Sequence, residues 1–236
     1  MKKPAVCFCL WMLAQGSLLA EEVPLHWEYF EPGIDYSHRL RVTGATTNWT
    51  IAGEPTPEKT GRSLKLTMDF SKEKVAVLVF DLPLLAFDRI RLRLWNPNAP
   101  TTPLYAHLSA YQGNSMGAFR ENISFLARYY GDPGSVPATE GMKKNFLKPD
   151  KPSAPLPNSK ATGWFVYEVN LPRDIVNVVS NGTHRPLTQD EQTNWKNYAL
   201  PTVSLLVETK PPATGTPAPS QPVTLYIGSI EFYLSK

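Results

Sequence analysis

The feature that most restricts the fold of this chain is an alternation of apolar and polar residues with a period of two. Every second side chain is apolar over residues 64–70, 89–95 and 104–111. Successive side chains of a β-strand point to opposite faces, so this period is typical of strands with one buried face. Similar patterns or continuous apolar runs predict further strands at 25–31, 47–52, 75–80, 165–171, 203–207 and 223–234.

Signals for helices are few, and proline is abundant. The 236 residues include 23 Pro, about twice the usual share of roughly 5%, and proline is excluded from helix interiors and central strands. Residues 189–198 predict one short helix capped by Thr188. Residues 118–130 fit a helix or a strand, and the poor helix propensity of 122–125 favours a strand.

About nine or ten strands without intervening helices restrict the fold class, because parallel sheets need a helix between successive strands. We therefore predict an all-β protein: an antiparallel β-sandwich with long Pro-rich loops and at most one or two short helices.

The first 20 residues predict a secretory signal peptide. Two lysines precede a short apolar run, and small residues lead to a cleavage site after Ala20. The run is too short to span a bilayer comfortably. We therefore expect an exported protein, periplasmic or extracellular and bacterial in origin, with no membrane span after cleavage.

The predicted cleavage also sets the bounds of the mature domain and excludes sites that need cysteine. Cys7 and Cys9 are the two cysteines of the chain, so residues 21–236 contain no cysteine nucleophile and no Cys-ligated zinc. We expect residues 21–236 to form a single domain with irregular insertions, rich in Pro, Gly and Ser, at 131–162 and 211–222. The formal net charge of +3 is too small an excess for a nucleic-acid-binding protein.

Short motifs occur along the chain in an order shared with a known family. They are 29–33 (YFEPG), 61–66 (GRSLKL), 87–92 (FDRIRL), 163–165 (GWF) and 225–232 (LYIGSIEF). In this order they resemble the galactose-binding-like jelly-roll domains of secreted carbohydrate-active proteins, in particular non-catalytic carbohydrate-binding modules of bacterial proteins. The resemblance implies a jelly-roll sandwich, a carbohydrate ligand and no catalytic residues.

The same resemblance implies a structural calcium ion between an early carboxylate and an aspartate in the last strand. Glu31 matches the early position, but Gly228 stands at the late position. The missing carboxylate removes both a ligand and a charge that a hard cation requires. We therefore expect no metal site and no other cofactor, with the vicinity of Glu31 as the place where calcium would bind.

Two neighbouring strands carry the residues that we predict to bind the ligand. Their polar faces present Arg89, Arg91, Arg93 and Trp95 on one strand, and Tyr105, His107 and Tyr111 on the next. Aromatic rings cover the apolar faces of sugar rings, and arginines bind carboxylate or sulfate groups through two parallel hydrogen bonds. If the strands share a sheet, they form a surface for a poly- or oligosaccharide, and the arginines favour an anionic one. The alternative is a solvated face whose arginines pair with acidic residues across strands.

Aromatic residues near loops give a second candidate site. Trp49 lies near the start of the chain, while Phe119, Tyr129 and Tyr130 precede Asp132. Loops at the edge of a sandwich commonly carry binding residues, so Trp49 and Tyr129 are included among the predicted ligand contacts. The alternative is that both rings pack into the core or against loops.

An enzyme hypothesis competes with carbohydrate binding. Residues 113–117 match the G-x-S-x-G nucleophile motif of α/β-hydrolases, and Asp174 and His184 follow Ser115 in the order of a catalytic triad. The βαβ alternation of that fold and its glycine-rich oxyanion motif are both missing, so we interpret the match as coincidental and expect no catalytic residues. A third hypothesis is an envelope module that binds a protein partner or has a structural role.

Overall fold

Two antiparallel sheets form the framework of the protein. A computed structural model describes residues 22–57, 61–112, 123–128, 153–209, 219 and 221–235. Within these residues the strands, numbered in chain order, are β1 (His26–Glu28), β2 (Leu40–Gly44), β3 (Thr46–Ala52), β4 (Ser63–Met68), β5 (Val75–Ala86), β6 (Arg89–Trp95), β7 (Tyr105–Gln112), β8 (Ile123–Arg128), β9 (Phe165–Asn170), β10 (Ile175–Ser180), β11 (Thr183–Arg185), β12 (Ala199–Glu208) and β13 (Val223–Tyr233).

The strands divide into a first sheet of six and a second sheet of seven. In the first sheet the order is β3, β4, β13, β6 and β9, and β1 pairs with the last residues of β13. In the second sheet the order is β11, β10, β8, β7, β12, β5 and β2. Every pair of neighbouring strands is antiparallel. The predicted antiparallel β-sandwich is therefore confirmed.

The hydrophobic core fills the space between the two sheets. In β6 the inward residues Ile90, Leu92 and Leu94 are at most 1% exposed, while the residues between them are only partly buried on the outside. Burial of one such side chain contributes about 1.5–3 kcal/mol. The bulkiest fully buried side chains are Tyr167, Phe30, Phe87, Phe125 and Phe232. The alternation in the sequence thus corresponds to an inner apolar face and an outer polar face on each sheet.

A bulge interrupts the last strand where its sequence pattern changes phase. The register between β13 and β6 shifts between Ile227 and Ser229, which places a β-bulge at Gly228. A Cβ atom on Gly228 would overlap Cγ of Pro57 and lie 3.0 Å from the Trp164 ring. Glycine is needed here because another part of the chain approaches the strand closely.

The helical segments are short and lie outside the sheets. In the described part of the chain they are α1 (Ser159–Thr162), α2 (Gln189–Thr193) and a 3₁₀ turn at Trp195–Asn197. Thr188 caps α2 reciprocally: its hydroxyl accepts a hydrogen bond from the Glu191 N–H at 3.1 Å, and the Glu191 carboxylate accepts one from the Thr188 N–H at 2.8 Å. The predicted short helix and its cap are confirmed, and the α-helix gives way to the 3₁₀ turn after Asn194.

Trp195 fixes this helical segment to the core. Its side chain is 2% exposed, and its ring meets the Phe125 ring edge-on at 5.0 Å between centroids. Its indole N–H donates a hydrogen bond to the Phe87 carbonyl oxygen at 2.8 Å. A buried indole that keeps a hydrogen-bond partner adds packing area without leaving a donor unsatisfied.

The strand predictions were incomplete rather than misplaced. Strand β8 confirms the strand interpretation for residues 123–128 of the ambiguous segment. Strands β2, β10 and β11 were not predicted. In β10 four consecutive residues, 175–178, are buried, so the alternation that identifies a half-exposed strand is missing.

Several predicted segments lie largely outside the described residues. These are the signal peptide at residues 1–20 and most of the insertions at 131–162 and 211–222. The end of the first insertion is described and packs on the domain: Leu156 is buried, and its N–H donates to the Leu104 carbonyl oxygen at 2.7 Å. Among the residues with described positions, the helices are too short or too polar to cross a membrane.

Candidate functional site

The predicted ligand residues divide between the two outer faces of the sandwich. Strand β6 belongs to the first sheet and β7 to the second. The outward residues are Arg89, Arg91, Arg93 and Trp95 on β6, and Tyr105, His107 and Tyr111 on β7. Because residues 96–104 carry the chain from one sheet to the other, the two sets do not form the single surface that a shared sheet would give. Ligand binding by either set stays a prediction.

The aromatic residues of the second predicted site are not brought together in the described part of the chain. Trp49 lies in β3, pairs with Leu66, and packs partly buried against the hydrophobic core. Tyr129 lies outside the described residues, as do Phe119 and Tyr130. The position of Trp49 corresponds to the core-packing alternative.

The outer face of the second sheet carries a polar strip along β7. Strand β12 lies on one side of β7, where Leu206 is opposite His107 and Thr202 is opposite Tyr111. Strand β8 lies on the other side, and the hydroxyls of Ser109 and Ser124 are hydrogen-bonded across this pair. The strip therefore combines aromatic rings with hydroxyl groups whose positions are fixed by the sheet.

His107 is the unusual member of this strip. Although it points away from the core, it is only 5% exposed, and in the part of the chain that the structure describes neither ring nitrogen has a hydrogen-bond partner. Its Nε2 lies 3.6 Å from Oε1 of Glu208, whose side chain is 20% exposed. Buried polar side chains in folded proteins almost always have a hydrogen-bond partner, and an exception needs a specific physical cause. A ligand that supplies the missing hydrogen bonds is one such cause.

A fixed network lies beside Tyr111 on the same face. The Asp81 carboxylate accepts hydrogen bonds from Nη2 of Arg41 at 2.8 Å and from the Thr202 hydroxyl at 3.2 Å. Thr202 is opposite Tyr111 in the register. The carboxylate retains capacity for further hydrogen bonds, so this end of the strip offers an acceptor to ligand hydroxyls.

The outer face of the first sheet contains a groove of about 580 Å³. It is lined by Glu22, Val23, Pro24, Tyr29, Arg91, Arg93, Val166, Glu168, Ser229, Glu231 and Tyr233. Ligand cavities usually measure roughly 300–1,000 Å³, so its size suits a small ligand or a short part of a polymer. Arg91 and Arg93 of the predicted site line it directly.

Two of the three β6 arginines in this region are paired with carboxylates. Arg91 donates to Oε2 of Glu168 from Nε at 3.0 Å and from Nη2 at 2.9 Å. Arg89 forms an ion pair with Glu22, and its guanidinium lies 4.6 Å from the centre of the Tyr233 ring. Arg91 thus follows the alternative in which the arginines pair with acidic residues on neighbouring strands. Arg89 is also paired, but its partner Glu22 lies before the first strand.

These pairings and burial shift the ionisation of the groove. The hydrogen bond from Arg89 lowers the pKa of Glu22. Burial, followed by the hydrogen bond to Glu231, raises the pKa of Tyr233 far above its ordinary value of 10. Tyr233 therefore stays protonated and donates to Oε2 of Glu231 at 2.5 Å. The groove is therefore lined by a network of paired hydrogen-bond donors and acceptors.

Sequence reasoning missed several residues that complete these two faces. Glu208, Glu231 and Tyr233 were not among the predicted contacts, and Glu168 had no spacing that distinguished it. Alternation does place Glu231 on the outer face of the last strand. Pairing that strand with β6 needs the sheet order, because the two strands are far apart in the chain.

The candidate hydrolase residues have other bonds in the structure. The Asp174 carboxylate accepts from the Asn170 N–H at 2.7 Å and from Nε of Arg173 at 2.7 Å. Nδ1 of His184 lies 2.5 Å from the Asn177 amide nitrogen. Ser115 lies outside the described residues. Asp174 therefore holds the turn between β9 and β10.

The region suggested for calcium contains few suitable ligands. The side chain of Glu31 is exposed, while its N–H donates a hydrogen bond to the Tyr36 hydroxyl oxygen at 2.9 Å. Throughout the described residues, no group of three or more His, Cys, Asp or Glu side chains is placed to hold a metal ion.

No protein-family model and no curated protein matches this chain. Solved structures do match it. The chain is similar to the CBM22-2 xylan-binding domain from Paenibacillus barcinonensis, with 13% identity and a TM-score of 0.47 over 89% of this chain and 99% of that one. It is also similar to a family 11 carbohydrate-binding module from Clostridium thermocellum, with 10% identity and a TM-score of 0.41 over 91% of this chain and 92% of that one.

An enzyme is also among the similar structures. A laminarinase from Flavobacterium sp. UMI-01 has 12% identity and a TM-score of 0.47, covering 89% of this chain and 99% of that one. The similarity to carbohydrate-binding modules that the sequence suggested is thus found among solved structures, and it concerns the β-sandwich fold.

Proposed function

We propose that this protein binds a poly- or oligosaccharide without acting on it chemically. The proposed ligand lies along β7 on the outer face of the second sheet, in contact with Tyr105, His107 and Tyr111. The observation that carries the proposal is His107, a buried side chain that points outward and whose ring nitrogens have no hydrogen-bond partner among the described residues. A sugar hydroxyl can both donate and accept, so it satisfies an imidazole in either tautomer.

The surroundings of His107 support a sugar rather than an apolar ligand. Tyr105 and Tyr111 lie on the same face of the strand and are half-buried, which leaves part of each ring for contact with the C–H face of a sugar. The six residue steps from Tyr105 to Tyr111 span about 20 Å along the strand. Between them the face presents the Ser109 hydroxyl, and Glu208 contributes a partly exposed carboxylate. Such a length suits several units of an oligosaccharide rather than one.

Non-catalytic binding is supported by the bonds of the candidate triad residues. Asp174 is 1% exposed and is bonded to Arg173 and to the main chain. A carboxylate used in this way is poorly placed to orient a catalytic histidine. A fluorophosphonate probe tests this part of the proposal: labelling of the protein that disappears in Ser115→Ala would favour a serine hydrolase.

We further propose that the protein acts outside the cytoplasm, in the periplasm or the extracellular medium. The support is the lysine-led apolar segment that ends at Ala20. Expression of the full chain followed by N-terminal sequencing of the exported product tests it. A product that begins near residue 21 agrees with the proposal, and a chain retained in the cytoplasm with Met1 intact contradicts it.

Affinity electrophoresis in gels that contain a neutral polysaccharide (xylan, mixed-linkage β-glucan, mannan or starch) tests the main proposal. We expect at least one polysaccharide to retard the protein, and Tyr111→Ala to abolish the retardation at an unchanged melting temperature. Tyr226→Ala is the matched control, because Tyr226 is also half-buried but lies on the first sheet. Migration unchanged by every polysaccharide, or equal loss in both variants, would overturn the proposal.

A further inference from the structure

The first sheet carries an arrangement of charges that the site on β7 does not use. Its groove is crossed by rows of residues in register on β13, β6 and β9. In one row Arg91 lies between Glu231 and Glu168, and in the next row Arg93 lies between Ser229 and Val166. Arg93 therefore has no carboxylate opposite it on either neighbouring strand.

The charged groups around Arg93 already have partners. Glu168 receives two hydrogen bonds from Arg91, and Glu22 is paired with Arg89. Glu231 accepts from the Tyr233 hydroxyl at 2.5 Å and from the Ser229 hydroxyl at 3.2 Å. Over the described ranges, Arg93 is the one β6 arginine without a hydrogen bond or ion pair.

Arg93 nevertheless lines the groove and is partly buried. A partly buried guanidinium has lost some hydration, and its planar set of donors matches the two oxygens of a carboxylate or the oxygens of a sulfate. An unpaired cation at the wall of a cavity is thus suited to an anionic group of a ligand.

The rest of the groove is suited to hydroxyl groups. The Glu231 carboxylate uses two of about four acceptor positions in its bonds to hydroxyls. Tyr29 and Tyr233 add aromatic surface to the lining, and Trp27, 47% exposed, lies beside Tyr29 with 6.3 Å between ring centres.

We infer that this groove is a second binding site, for an acidic sugar unit in which Arg93 binds the carboxylate or sulfate and Glu231 accepts from a neighbouring hydroxyl. The site lies on the opposite side of the sandwich from the β7 strip, and it does not depend on binding there. It also gives the β6 arginines distinct roles: Arg89 and Arg91 hold the walls, and Arg93 contacts the ligand.

Isothermal titration calorimetry with defined oligosaccharides tests the site. The probes are tri-galacturonic acid for a carboxylate, a chondroitin sulfate disaccharide for a sulfate, and maltotriose as a neutral reference. We expect one or both acidic probes to bind and Arg93→Gln to weaken that binding at least tenfold, with no matching effect on maltotriose. If tri-galacturonic acid alone binds, a carboxylate is the sufficient group. If the chondroitin sulfate disaccharide alone binds, the sulfated unit is required.

Three control variants distinguish binding in this groove from a general effect of charge and from binding on β7. Lys72→Gln removes one positive charge from an exposed turn outside the groove, and it should leave the affinity unchanged. Arg93→Lys keeps the charge but loses the planar donor set, and it should bind with intermediate affinity. Tyr111→Ala should not change the affinity for the acidic probe, so failure of the β7 site and failure of this site give different results.

The inference is overturned if neither acidic probe binds, or if Arg93→Gln binds the probe as well as the unaltered protein does. Equal weakening by Lys72→Gln would also overturn it, because the effect would then come from total charge. Thermal unfolding of each variant accompanies the titrations. If Arg93→Gln unfolds early, Arg93→Lys decides the question, and undiminished binding by that variant at low and high salt counts against the groove.

Discussion

Replacement of His107 by leucine should stabilise the protein and abolish the carbohydrate binding proposed for the β7 strip. The imidazole is 5% exposed, and its two nitrogens have no hydrogen-bond partner among the residues with described positions. An unsatisfied polar group in a buried position costs about 1–3 kcal/mol. Leucine removes that cost, while imperfect packing of its different shape takes back up to about 1.5 kcal/mol.

The expected net gain from His107→Leu is therefore centred on about 1 kcal/mol in the free energy of unfolding. For a domain of this size each kcal/mol corresponds to roughly 2–4 °C in the melting temperature. Urea unfolding monitored by tryptophan fluorescence measures the free energy, and affinity electrophoresis measures binding in the same preparation. We expect at least a tenfold loss of affinity, equivalent to about 1.4 kcal/mol.

His38→Leu is the matched control, because the His38 side chain is 88% exposed and lies on another part of the chain. It should change neither stability nor affinity measurably. The reasoning is refuted if His107→Leu lowers the free energy of unfolding by more than about 1 kcal/mol while binding persists. His107 would then be a structural residue whose apparent isolation has another cause.

Three further predictions concern the framework. Glu191→Gln should lower the free energy of unfolding by about 1–3 kcal/mol, because it weakens a capping box and a pair of hydrogen bonds from Arg185. Burial raises the pKa of Glu191, but these bonds outweigh it and leave that pKa below 4.5. The stability deficit of the variant, measured by urea unfolding, should therefore be full above about pH 4.5 and shrink as acid protonates the native carboxylate. Gly228→Ala should cost about 1–3 kcal/mol through overlap with Pro57, measured as a lower melting temperature. Trp195→Phe should lower the free energy of unfolding by a similar amount, because the buried Phe87 carbonyl oxygen loses the indole N–H as its donor. Urea unfolding measures this loss.

Each of these predictions has an outcome that contradicts it. A Glu191→Gln deficit that grows in acid would show that the carboxylate is not stabilised in the folded state. Gly53→Ala is the control for Gly228→Ala, because a Cβ atom at Gly53 meets nothing within 4 Å; equal effects would rule out steric overlap. An unchanged stability in Trp195→Phe would mean that the Phe87 carbonyl finds another donor.

The inner and outer faces of the strands could be predicted from the sequence, but their sheet membership could not. Alternation correctly separated Leu92 from Arg91 and Ala106 from Tyr105. The next strand along the chain after β6 lies in the other sheet. Local alternation does not show whether the connection between two strands stays in one sheet or crosses to the other. The expectation that the β6 arginines and the β7 aromatic residues share one surface was therefore wrong.

The helical cap was predictable because its signal is local. Thr188 and Glu191 have the spacing of a capping box, and both reciprocal bonds form. The partners of the β6 arginines could not be predicted in this way, because Glu168 is 77 residues from Arg91 in the chain. The lack of a hydrogen-bond partner for His107 among the described residues was equally inaccessible, because it depends on which strands lie beside β7.

The division of the polar residues between two opposite faces has a consequence for larger assemblies. Packed sheets are separated by only about 10 Å, so ligands on both outer faces would be held close together yet on opposite sides. If both proposed sites bind, one molecule of this protein is bivalent and can join two polysaccharide chains. The viscosity of a mixture with a long polysaccharide would then rise in proportion to the amount of protein. A variant that has lost one of the two sites would bind the polysaccharide without joining its chains.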